Sequence, residues 1–126
     1  MQNQANKTVL AVVSDLFFAA KINEAAKRAG VTLEYVTAEK DVLEKALSNP
    51  ALIILDLNFD AVRPVELIGK LKGNVDLKHI RLIGYLSHVQ TELKMKAQEA
   101  GCDQVMPRSA FSMNLPQILS STPRQT

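Results

Sequence analysis

Leu52-Ile53-Ile54-Leu55-Asp56 decides the fold. Four consecutive apolar residues leave no alternation between a wet face and a dry one. A strand of this kind is covered on both sides, as in a parallel sheet with helices above and below. The run ends in a carboxylate, and parallel sheets bind ligands beyond the carboxyl ends of their strands.

The flanks repeat the unit. Upstream, Asn49-Pro50 breaks a short helix marked by Val42, Leu43, Ala46 and Leu47. Before it lies a β-branched stretch, Val31 to Thr37, and before that a helix carried by Phe18, Ile22, Ala25, Ala26 and Ala29 and stopped by Gly30. Val9 to Val13 is a second unbroken apolar run, followed by Ser14-Asp15, either of which can cap the helix. Downstream, Pro64 opens a helix with Leu67, Ile68 and Leu71 on its inner face and Gly73 at its close. Ile80 to Leu86 is the fourth strand, and Leu93, Ala97 and Ala100 form a helix ended by Gly101. Gln104 to Met106 is a short fifth strand, and Phe111, Leu115, Ile118 and Leu119 mark the last helix. Pro116 is tolerable there if that helix begins near Ser112, because first-turn N–H groups have no intrahelical partner.

Five strands alternating with five helices predict a three-layer (βα)₅ α/β domain over residues 8–120. The expected sheet is parallel, in the order 2-1-3-4-5, with residues 1–7 and 121–126 as flexible tails. The 126 residues suit one such domain. Apolar residues make up 47% of the chain, enough for a core between layers. A net charge of +2 with no basic stripe gives no case for nucleic acid. Lys70, Lys72, Lys78 and Arg81 form a loose cluster read as a solvated face, and His79 and His88 read as surface residues. No apolar run approaches the roughly 18 residues of a membrane span. The single cysteine, Cys102, reads as a packing residue and fits a reducing cytoplasm.

The predicted topology gathers Ser14 and Asp15 after strand one, Asp56 after strand three, Ser87 after strand four and Arg108 after strand five. Chemically this set suits phosphoryl transfer to a carboxylate. Asp56 would be the nucleophile, and Asp15 would help hold Mg²⁺. Ser87 and Arg108 would bond phosphate oxygens. Bland readings stand beside these: Asp15 as a helix cap, Ser87 as a loop hydroxyl, Arg108 as a solvated cation or an ion-pair partner of Asp56. Gly-x-Gly-x-x-Gly and P-loop patterns are absent.

Leu52 to Leu57, Leu86-Ser87 and Gly101-Cys102-Asp103 together resemble the receiver domains of bacterial response regulators, the CheY-like branch of the flavodoxin-like fold. The resemblance spans roughly Thr8 to Leu119. It implies Asp56 as phosphoacceptor, Ser87 and Arg108 as phosphate-binding residues, and Asp15, Asp56 and the Asn58 backbone carbonyl as ligands of a weakly held Mg²⁺. It also implies a histidine kinase or phosphotransfer protein as donor and a downstream protein partner. On the same resemblance, the last two helices and strand five would form the surface for that partner or a homodimer.

The pattern departs from the family at Ser14, where an acid is usual, at Arg108 in place of lysine, at Ser109 in place of proline, and at Val105 in place of an aromatic switch. Phe59-Asp60 stands where the family has Met-Pro. The leading expectation is a stand-alone receiver-like signalling protein. The alternatives are a pseudo-receiver acting only through protein contacts, and a small-ligand module or enzyme subunit on the same fold.

Overall fold

The computed structural model describes residues 7–87 and 90–120. The expected tails, apart from Lys7, and His88 lie outside the described residues. The elements alternate throughout: β1 (Thr8–Val12), α1 (Leu16–Ala29), β2 (Thr32–Tyr35), α2 (Glu39–Ala46), β3 (Leu52–Asp56), α3 (Pro64–Lys72), β4 (Leu82–Leu86), α4 (Thr91–Ala100), β5 (Gln104–Pro107) and α5 (Arg108–Ser120). All pairings are parallel and the order is β2-β1-β3-β4-β5. This is the predicted architecture.

Strand alternation divides the core in two. Leu10, Val12, Ile53, Leu55 and Leu82 face α2, α3 and α4. Val9, Leu52, Ile54, Ile83 and Tyr85 face α1 and α5, against Phe18, Ile22, Phe111 and Leu115. Every residue of β3 is buried, which is why its sequence shows no period. Burying each of its Leu and Ile side chains contributes roughly 1.5–3 kcal/mol.

Two segments differ from expectation. The last helix starts at Arg108, not near Ser112, so Pro116 lies in its interior. Proline there removes one donor and crowds the carbonyl four residues back. The helix persists because Pro116 is on the exposed side, while Phe111, Leu115, Ile118 and Leu119 anchor the opposite side in the core. Lys72, expected on a solvated face, is a clamp: its Nζ donates to Ile80 O at 2.7 Å, Lys78 O at 3.2 Å and Asp103 Oδ2 at 2.8 Å. Its stem runs so close to Gly101 that a Cβ there would lie 2.9 Å from Lys72 Cγ. Gly101 also has a φ of 113°, so both the backbone and the space select glycine.

The turn from α4 into β5 is thereby explained. Gly101 ends α4, Cys102 buries its side chain, and Asp103 Oδ2 accepts the Leu82 N–H as well as Lys72. Burial pushes the Cys102 thiol up to about 11, consistent with a packing role and an unreactive thiol. Among the described residues, no helix is long and apolar enough to cross a membrane.

Candidate functional site

Asp56 is the last residue of β3 and is only 8% exposed. Alternation places it on the same face as Leu52 and Ile54, toward α1 and α5. Its Oδ1 accepts the Asn58 N–H at 2.8 Å. Burial pushes the carboxyl above its ordinary value, and the Asn58 N–H and the Arg108 charge oppose that shift.

Register sets Tyr85 of β4 directly beside Asp56. The Tyr85 ring packs edge-on to Phe18 at 5.0 Å and stacks on Phe111 at 5.1 Å between centroids. Its hydroxyl is buried and has no hydrogen-bond partner among the described residues. Desolvation, then the Asp56 charge, push the phenol far above its ordinary range, so it stays protonated.

Asp15 is the N-cap of α1. Its Oδ1 accepts Phe17 N–H at 2.9 Å and Phe18 N–H at 3.3 Å. Its Oδ2 accepts the Arg108 guanidinium at 2.6 Å. The sequence left Arg108 as a solvated cation or a partner of Asp56; the structure gives it to Asp15. The reason is packing: Arg108 lies with its guanidinium carbon 4.4 Å over the Phe18 ring, which holds it at the start of α1. The Arg108 bond and the cap together hold the Asp15 carboxyl below its ordinary value.

Ser87 follows β4. Both its N–H and its hydroxyl donate to Asn58 Oδ1, at 2.8 and 3.0 Å, and Asn58 Nδ2 donates to Gln90 Oε1 at 2.8 Å. Sequence reading named Asn58 for its carbonyl only. That carbonyl accepts the Asp60 N–H at 3.1 Å. Ser87 and Arg108 line one shallow cavity with Phe17, Phe18, Lys21 and Ser109. Asp15, Asp56, Ser87 and Arg108 thus all follow the carboxyl ends of parallel strands. Asp15 and Arg108 are bonded, and Ser87 is tied to the Asp56 loop through Asn58.

Whether a divalent cation fits can be read from the donors. Asp15 has both oxygens engaged, one Asp56 oxygen and the Asn58 carbonyl each accept an N–H, and Ser14 is neutral and exposed. Among the described residues no group of three His, Cys, Asp or Glu side chains is placed to hold a metal. A hard cation prefers several oxygen ligands. The residues as arranged do not make such a set.

No family model matches the chain, and no curated protein matches its sequence. Solved structures match its fold. A response regulator from Hahella chejuensis superimposes with a TM-score of 0.81 at 21% identity, covering 91% of this chain and 93% of that one. The chain has the receiver fold. The chemotaxis response regulator CheY4 of Vibrio cholerae gives 0.79 at 18% identity, with 94% and 99% covered. The Mn²⁺-bound form of response regulator Rcp1 gives 0.79 at 17%, with 95% and 99% covered.

The residues missed by sequence reading are Tyr85, the Asn58 side chain and Gln90. Tyr85 had a signal: alternation from Ile83 puts it on the Asp56 face. The Asn58 and Gln90 contacts cross between two loops and have no periodic signature.

Proposed function

We propose that the chain is a receiver-like signalling protein in which Asp56 accepts a phosphoryl group. The observation that carries the reading is a carboxylate, Asp56, buried at the end of the central strand of the receiver fold. A histidine kinase or phosphotransfer protein would be the donor. The Asp56 oxygen not bonded to Asn58 attacks phosphorus. The bond from phosphorus to the donor nitrogen breaks, and the imidazole leaves with the electron pair. Arg108, with N–H groups beyond the one given to Asp15, balances charge on the transferred group. Ser87 adds a donor after leaving Asn58. The family resemblance assigns Mg²⁺ to Asp15, Asp56 and the Asn58 carbonyl, but with Asp15 bonded to Arg108 these residues do not fit the ion, and no step is routed through it.

The engagement of Asp15 also favours a second reading, a pseudo-receiver that works through protein contacts alone. On either reading the partner surface is the α4, β5 and α5 face, in contact with a downstream protein or a second copy of the chain. Reversing the charges of Lys94 and Lys96 should then weaken association. The separating experiment is incubation with phosphoramidate followed by intact-mass measurement. The first reading expects one phosphoryl adduct, absent from Asp56→Asn. An unmodified parent chain supports the second.

A further inference from the structure

We infer that the Arg108 guanidinium stands in the place of a divalent cation, so that an anion carried on Asp56 is balanced by arginine without metal. The inference rests on the phosphoacceptor reading for its second half only; the exclusion of metal stands on geometry.

A carboxylate that awaits a metal leaves oxygens turned to the site. Asp15 does not. Oδ1 is spent on the first turn of α1, and Oδ2 on Arg108 at 2.6 Å. Releasing Oδ2 means separating a charged pair in which both side chains are only 36% exposed. It also means leaving the guanidinium on Phe18, 4.4 Å away, without its counter-charge. A divalent ion arriving beside Asp56 would meet the guanidinium charge that already acts on that carboxyl. Arginine does not titrate away at any working pH, so the competition persists. Ser14 offers a neutral, exposed hydroxyl where another acid would draw the ion in.

The same arrangement suits an anion. The guanidinium is planar, with five N–H donors, and its bond to Asp15 leaves others to give. Its ring support and its ion pair fix its orientation before any ligand arrives, which lowers the cost of ordering a long side chain. Asp15 is then a positioning residue. It holds Arg108 at the edge of the sheet, where its charge already acts on Asp56.

The test uses Mn²⁺ as probe and the amide spectrum of the labelled full chain as readout. In the parent, Mn²⁺ at tenfold excess should leave the Asp56 to Asn58 amides no more broadened than distant exposed ones. In Arg108→Met, Asp15 is freed and the same amides should broaden selectively, with apparent affinity at least tenfold tighter. Arg108→Gln, which keeps a polar side chain of similar length, repeats the test should the methionine variant fail to fold. Selective broadening in the parent, or none in a folded Arg108 variant, overturns the inference. A second arm separates it from the phosphoacceptor reading. Phosphoramidate labelling of the parent should be equal within about twofold in Mg²⁺ and in chelator. Labelling that needs Mg²⁺ overturns the inference. Labelling in neither buffer ends the phosphoacceptor reading and with it the anion half, while the Mn²⁺ arm still decides the exclusion of metal.

Discussion

One oxygen, Asn58 Oδ1, accepts both the backbone N–H and the hydroxyl of Ser87. The side chain therefore ties the loop after β3 to the loop after β4, and through Gln90 to the start of α4. Removing it in Asn58→Ala leaves two donors to water at an exposed residue. The expected cost is about 1 kcal/mol, at the modest end for hydrogen bonds that solvent can replace. The sharper readout is amide exchange, which should quicken at Ser87 while the centre of β4 stays protected. Unchanged exchange at Ser87 would mean that the loop is held by other contacts.

Tyr85→Phe keeps the ring packed between Phe18 and Phe111 and deletes the one buried side-chain polar atom without a partner among the described residues. An unmet buried hydroxyl costs about 1–3 kcal/mol. The variant should unfold at higher urea, by roughly 1 kcal/mol after extrapolation. A clear loss of stability would show that the hydroxyl is satisfied in solution.

The two carboxylates should give opposite pH dependence. Asp56 has a folded pKa raised above 3.8, chiefly by burial. Its protonated form favours folding, so its contribution is fully present below 3.8 and is lost as pH rises through the raised value. Asp15 has a folded pKa lowered below 3.8, chiefly by the Arg108 bond. Its contribution is present above 3.8 and is lost as pH falls through the lowered value. Asp56→Asn should therefore melt higher than the parent at pH 7, with the gap closing as pH drops toward 3.8. Asp15→Asn should melt lower at pH 7, with its gap closing only further into acid. Thermal melts across pH 3 to 7 test both; a constant gap for Asp56→Asn would contradict its burial.

Pro116→Ala restores an N–H in the interior of α5 on its exposed side. Interior proline costs a helix about 3 kcal/mol, partly offset by the stiffer unfolded chain it provides. A net gain of about 1–2 kcal/mol in unfolding free energy is expected. No gain would mean that the helix has already relaxed around the ring.

How far the sequence carried depends on which physics was local. The buried strands β1 and β3 announce themselves as unbroken apolar runs, β4 as a mainly apolar stretch from Ile80 to Leu86, and their order follows from alternation with helices. β2 and β4 are shorter than the runs that suggested them: Val31, Val36 and Ile80 are buried beside the strands without joining them. The start of α5 was misplaced because Pro116 was given priority over the apolar spacing from Phe111, whereas exposure makes that proline tolerable. At the site, the strand ends placed Asp15, Asp56, Ser87 and Arg108 at one edge. Which acid takes Arg108 is decided by the Phe18 ring beneath it, a contact between elements separated by 93 positions from Asp15 to Arg108. No spacing rule reaches that far.

The division of the core between the two faces of the sheet has a bearing on synthesis. The face of Val9, Ile54, Ile83 and Tyr85 is closed by α1 and by α5, an early helix and a late one. As the chain leaves the ribosome, the opposite face acquires α2, α3 and α4 while this one still lacks Phe111, Leu115, Ile118 and Leu119. Each of those side chains contributes roughly 1.5–3 kcal/mol on burial, comparable in sum to the whole stability of a small domain. A nascent chain stalled before α5 would therefore present a wet apolar stripe, and would be a client for a chaperone rather than a half-finished domain.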